Sequence, residues 1–325
     1  MPTKSSGYYG AAISPTWALA LALACVTPAT ANEADRAAMA GAEIQAFDAR
    51  MITPPPSWLG LNPFYQKYAD AGGIPIIGSR NVPDAGILVA RDIVLYMLSE
   101  RPDIRNQLIR EGARVGIMAI DETTTDLPEQ SDWKKPAIDD PRLSKCDVRD
   151  YAKTIGLQSD RDYWAQRARG MGGIYTTGAA ENILGVPQTR YYGENILVHE
   201  FSHSIFGAIR TADPALAARV ETTFAHSKEK GLWAGAYMAL NVEEYWAEGT
   251  QFWFNSNKAY ITDAITIVNA DDFKARDPEF FAILSEVYRW DHRIPADVYY
   301  MHPARMNSMH IDLDAGGKVK DDCYS

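Results

Sequence analysis

Cysteine is scarce in this chain. Only Cys25, Cys146 and Cys323 occur, and none stands at metal-ligand spacing from another, which argues against a thiolate zinc site. Basic charge is in deficit as well: 32 Lys and Arg face 42 Asp and Glu, for a net charge of −10 and a pI near 5.1. A nucleic-acid partner normally requires a basic face, so that class is disfavoured, whereas a peptide or protein substrate is not. The one apolar run near the N-terminus, Trp17 to Val26, is too short to span a bilayer in the usual way. No internal repeat or coiled-coil heptad stands out. The acidic residues Asp121, Glu122 and Asp126 lack EF-hand spacing, so residues 121–147 read as a solvated loop rather than a calcium site.

The rest is ordinary globular composition, 46% hydrophobic and 23% charged, with ample material for a core. The length allows two domains or one large α+β unit. Residues 1–31 read as a secretory signal peptide. Lys4 is the only charge before Glu33, an Ala/Leu run follows, and Ala29-Thr30-Ala31 offers an A-x-A cleavage site with Asn32 as the mature start. The expected location is therefore secreted or periplasmic. Lipoprotein processing at Cys25 is a rival, weakened by Ala22 standing where a large aliphatic residue is usual. The two cysteines left after cleavage, Cys146 and Cys323, suggest one disulfide in an oxidising compartment, the alternative being two unrelated thiols.

Residues 32–56 form a lead-in segment that ends at Pro54-Pro55-Pro56, where no helix can continue. Ile74 to Ile77 is a short apolar strand candidate. Asp84 to Ser99 reads as a largely buried helix. Pro102 suits the first position of a second helix running to about Glu111, and Gly112 stops it. Arg114 to Ile120 reads as an internal strand. Near the C-terminus, Asp277-Pro278 opens a helix with Phe280, Phe281, Leu284 and Val287 on its apolar side. Phe252, Trp253 and Phe254 read as core. His226, His292, His302 and His310 lack partners four residues away and read as structural or exposed.

The other two of the six histidines fall one helical turn apart, in His199-Glu200-Phe201-Ser202-His203. Leu197, Phe201, Ile205 and Phe206 recur around them at helical spacing. His199 and His203 then project side by side from one helix face, where two imidazoles can grip one zinc ion. Glu200 is placed to act as a general base on a zinc-bound water without being a ligand.

One helix face cannot surround a tetrahedral ion, so a third ligand must come from elsewhere. Asn241 is a good helix N-cap, and in the helix that follows Glu244 and Glu248 fall one turn apart, with Gln251 a turn further on. Two carboxylates on a segment otherwise apolar, with Val242, Tyr245, Trp246 and Phe252, repel each other and cost desolvation. A metal offsets both penalties. Glu244 is assigned as the third ligand, and Glu248 as the acceptor for a ligand imidazole N–H. The alternative is a solvated acidic helix face.

HExxH followed by Glu-Tyr-Trp-Ala-Glu, with Tyr237 seven residues before Glu244, resembles the gluzincin zinc metallopeptidases. Within them it is most similar to the anthrax lethal factor catalytic domain and the secreted Pro-Pro endopeptidases. The likeness covers roughly residues 190–256. It implies zinc on His199, His203 and Glu244, Glu200 as base, Glu248 supporting a ligand, and Tyr237 stabilising the oxyanion. It also implies an α+β, zincin-like fold: a mixed twisted sheet packed on the active-site helix, with a mainly helical C-terminal part. Residues 57–325 would form one such domain, with an α/β part to about 192 and the zinc-binding helical part from about 193. In zincins the strand before the helix is an exposed edge that pairs with substrate. Gly172, Gly173, Ile174 and Tyr175 are the candidates for that edge, a plain turn being the alternative, and Arg190, Tyr191 and Tyr192 are candidate cleft residues. The expected function is a secreted zinc metalloendopeptidase using one Zn2+. The alternatives are a catalytically silent secreted zinc-containing binding module, or a zinc hydrolase acting on a non-protein amide.

Overall fold

Gly72 and Gly73, both with positive φ (64° and 93°), turn the chain tightly between strands β1 (Lys67–Ala71) and β2 (Ile74–Gly78). These strands pair antiparallel, while β2 with β3 (Arg114–Met118) and β3 with β4 (Tyr175–Ala179) pair parallel, in the order β1-β2-β3-β4. The computed structural model describes residues 52–306 except 142, 144, 263 and 264. The expected signal peptide (residues 1–31), residues 32–51 of the expected lead-in, His310 and Cys323 lie outside the described residues, as does Cys25. Cys146 itself is disulfide-bonded.

Parallel strands need a crossover, and two helices supply it between β2 and β3. These are α1 (Asp84–Met97) and α2 (Pro102–Glu111). Helix α1 buries Ile87, Ala90, Ile93, Val94 and Met97, and α2 stops at Gly112 in the left-handed region (φ 77°). From β3 the chain runs through the acidic stretch, which is not wholly solvated: Glu122 is buried and accepts from Ser79 Oγ (2.5 Å) and the Ala119 N–H (2.7 Å), and Asp126 pairs with Arg161 (2.8 Å). Short helices α3 (Lys145–Asp150) and α4 (Asp160–Arg167) lead to β4, which runs directly into α5 (Ala180–Ile183).

The C-terminal half is mainly helical: α6 (Ile196–Ala212), α7 (Pro214–Glu229), α8 (Val242–Trp253), α9 (Ala270–Arg276) and α10 (Pro278–Leu284). A two-stranded ribbon of β5 (Tyr260–Ile261) and β6 (Thr266–Ile267) precedes α9. The architecture is α+β with a small mixed sheet. One hydrophobic core runs from Ala69 on the sheet to Ile294 beyond the last helix. Leu197, Phe201 and Ile205 bury the apolar face of α6 in it, each contributing roughly 1.5–3 kcal/mol by leaving water. Among the described residues, no helix is long and apolar enough to cross a membrane.

The edge-strand expectation needs correction. Only Tyr175 of the four candidates is in a strand; Gly172, Gly173 and Ile174 precede it in irregular backbone. The reason is a local bridge. Met171 pairs back onto Thr177 across the open side of β4 (N–H to carbonyl 3.3 Å, and 2.8 Å in return), so the intervening residues turn instead of extending.

Candidate metal centre

Helix α6 begins where Asn195 caps it, the side-chain oxygen accepting from the Val198 N–H (3.3 Å). Asn182 Oδ1 accepts from the next free donor, the Ile196 N–H (2.9 Å), and Asn182 Nδ2 donates to the carbonyls of Tyr191 and Glu194. These contacts hold the first turn of the helix that carries both histidines.

Helix α8 starts at Asn241, whose side chain accepts from the Glu244 N–H (2.8 Å). Its tie to α6 is partly aromatic: Trp246 stacks on Phe206, ring centroids 5.2 Å apart, worth roughly 0.5–1.5 kcal/mol beyond burial. The indole N–H also donates to the Ser202 carbonyl (3.0 Å). Ser202 lies between the two histidines in sequence and Trp246 between the two glutamates, so this bond sets the register of one ligand-bearing helix on the other.

That register brings His199, His203 and Glu244 together, one donor atom from each lying within 4.8 Å of the others. Glu244 Oε2 is 3.2 Å from His199 Nε2 and 3.8 Å from His203 Nε2. Two ligands held at about 2.1 Å from one ion at the tetrahedral angle stand ~3.4 Å apart. The observed spacings bracket that edge length, and two imidazoles with a fully buried carboxylate form a donor set that can hold a metal ion. Burial pushes His203 down to about 4, leaving it neutral, as a ligand must be. Burial also works against charge on His199, but the hydrogen bond and charge of Glu244 outweigh it and raise that imidazole.

Glu200 faces the same space from α6. Burial pushes its carboxyl up to about 7 against the pull of His199; Glu244 adds to the rise, and the Gly172 N–H, which donates to it, opposes it. Glycine at 170 and 172 makes this close approach possible. A Cβ on Gly170 would stand 3.0 Å from Glu200 Cγ, and one on Gly172 would stand 2.7 Å from the His203 Cβ. The glycine run thus serves close packing on the HExxH helix. Tyr191, in the left-handed region (φ 65°), lines a small recess with His199 and Glu200; Arg190 lies over the Tyr191 ring, and Tyr192 packs on Tyr299 and His302.

Tyr237 sits in a single turn ahead of α8, its ring 6.5 Å from that of His199. Burial, then the charges of Glu244 and Glu200, hold its hydroxyl well above the ordinary phenol value, so it stays a donor. Glu248 Oε1 lies 3.5 Å from His199 Nδ1, and Asn257 Nδ2 donates to its other oxygen (2.8 Å). The nearest acceptor for that ring nitrogen is Gln251 Oε1, at 2.9 Å. The role assigned to Glu248 from spacing is thus filled more closely by the residue one turn further on. The other described histidines stand apart: His226 pairs with Glu279, His292 packs on Trp253, and His302 packs on Tyr192 and Tyr299.

The C-terminal segment reaches the same helix cap. Asp297 Oδ1 accepts from Asn195 Nδ2 (2.8 Å) and the Tyr299 N–H (3.0 Å). Burial pushes the Asp297 carboxyl from 3.8 up to about 6, partly offset by these bonds. A carboxyl raised on folding stabilises the protein fully below its unfolded value and loses that contribution as pH rises through its folded value. Between pH 4 and 6 this group should therefore forfeit about 3 kcal/mol. Asp297→Asn keeps the accepting oxygen without the charge. Urea unfolding across pH 4 to 7 should show the variant gaining on the parent by that order, and parallel pH profiles would contradict it.

No protein-family model matches the chain, and no curated protein matches it.

Proposed function

We propose that the protein is an exported zinc-dependent metalloendopeptidase with a zincin-like fold and a gluzincin ligand set. The observation that carries this reading is the convergence of His199, His203 and Glu244 from two helices, with Glu200 beside them. The motif pair HExxH and Glu-Tyr-Trp-Ala-Glu supports zinc as the ion, and the leader-like N-terminus and the bonded Cys146 support export. His199, His203 and Glu244 would hold the ion. Bound zinc supplies Lewis acidity, lowering the pKa of water and polarising a carbonyl oxygen.

The chain's own groups do the rest. Glu200, lifted by burial toward neutrality, takes the proton of the attacking water and returns it to the leaving amine. The Tyr237 hydroxyl, kept protonated by burial, donates to the oxyanion that develops on the scissile carbonyl. Trp246 and Gln251 hold α8 against α6 so that Glu244 stays in register with the two histidines.

Cleavage of a diverse peptide library by zinc-loaded protein, beside chelated protein, tests the reading. Metal-dependent cleavage at internal bonds supports it. Bound zinc without cleavage contradicts it and favours a silent zinc-containing module. In the same assay Tyr237→Phe should lower kcat roughly 10²–10³-fold, the loss typical for one oxyanion donor, with zinc content unchanged. Undiminished turnover would remove Tyr237 from the mechanism.

A further inference from the structure

Gln251 is almost fully buried, and both ends of its amide are engaged. Its Nε2 lies 3.0 Å from the Asn195 carbonyl and its Oε1 lies 2.9 Å from His199 Nδ1. A carbonyl oxygen can only accept, so the Gln251 NH2 must face Asn195 and its oxygen must face the ring. An amide oxygen also only accepts, so Nδ1 must carry a proton. The other ring nitrogen, Nε2, is the one that faces Glu244.

We infer that Gln251 is a positioning residue that holds His199 in the tautomer whose Nε2 lone pair is free for a metal, with the Asn195 carbonyl fixing which end of the amide meets the ring. The inference rests on the ligand assignment proposed above and deepens it. Without Gln251 the neutral ring has one strong partner, Glu244, 3.2 Å from Nε2. That partner favours a proton on Nε2, where it blocks ligation. Gln251 supplies the opposing preference from the other side of the ring. The same Asn195 carbonyl accepts the helical N–H of His199 (3.3 Å), so backbone and side chain of this ligand share one anchor. Glu248 is less suited, being 3.5 Å from Nδ1 and already receiving a bond from Asn257. His203 offers a contrast within the site, since its Nδ1 has no hydrogen-bond partner.

The test pairs two variants with two readouts. Nitrogen-15 NMR of the full chain, metal-free and zinc-loaded, should show a slowly exchanging proton on His199 Nδ1 in both states. Gln251→Met, similar in shape but with only a weak thioether acceptor, should lose that slow exchange and bind zinc roughly 10–100-fold more weakly. Gln251→Glu gives up the N–H to Asn195 but, since either carboxylate oxygen accepts, still meets Nδ1 without needing that anchor; it should keep the slow proton and bind zinc within a few-fold of the parent. A protected Nδ1 proton with unchanged zinc affinity in Gln251→Met would overturn the inference and pass the role to Glu248. Loss of the protected proton in a folded Gln251→Glu would overturn it too. The metal-free spectrum stands whether or not the chain hydrolyses peptides, so failure of the peptidase reading and failure of this one are separable.

Discussion

Glu200→Ala should leave bound zinc in place and lower peptide hydrolysis by roughly 10²–10⁴-fold, the contribution usual for a positioned general base. The expectation follows from where Glu200 lies. It shares α6 with both histidines, yet it is not among the three residues whose donor atoms converge. Its carboxylate is held by the Gly172 N–H and lifted by burial toward neutrality, suited to taking and returning a proton. Removing it takes away proton transfer and leaves the ligands standing. Zinc content by elemental analysis, measured on the same samples as turnover, separates the two effects. Turnover near the parent level would remove Glu200 as the base.

The second large effect belongs to Glu244. Its side chain is fully buried, and its Oε2 approaches both imidazoles. Glu244→Ala should reduce zinc affinity by more than the roughly 10–100-fold that loss of a supporting residue costs. Activity would fall with it. Because the alanine also leaves a cavity, Glu244→Gln serves as the closer substitution. It preserves the volume and the N–H bonded to Asn241, and replaces the anionic ligand with a neutral amide. Both variants should fold and both should lose metal. Full metal content in either would break the assignment.

Much of this site was legible because it depends on local periodicity. The i, i+4 spacing of His199 and His203, and of Glu244 and Glu248, needs only a helix, and the caps Asn241, Asp277 and Gly112 announce helix ends by residue type. Strand β1 was not read, since Lys67 and Asp70 dilute its apolar content; the paired glycines Gly72 and Gly73 were the usable signal. Helix α7 was missed because its apolar residues form no strong stripe, although Asp213 and Pro214 mark its start as clearly as Asp277 and Pro278 mark α10. The turn at Gly172 to Ile174 depends on Met171 returning to Thr177, and the bond between Asn195 and Asp297 joins residues 102 apart. Gly172 and Gly173 mark the first locally, as a turn; no local pattern encodes the second. Gln251 was visible on the Glu244 face of α8, but its meeting with His199 across 52 residues is set by how two helices dock.

Two side chains of α6 and one of α8 form a group that could enclose a single metal ion. Anomalous diffraction at the zinc edge, on zinc-loaded crystals of the parent beside Glu244→Gln, tests it most directly. One peak is expected in the parent, about 2.0–2.2 Å from His199 Nε2, His203 Nε2 and a Glu244 oxygen, and no peak there in the variant. A peak elsewhere, or one that survives the loss of the Glu244 carboxylate, would contradict it.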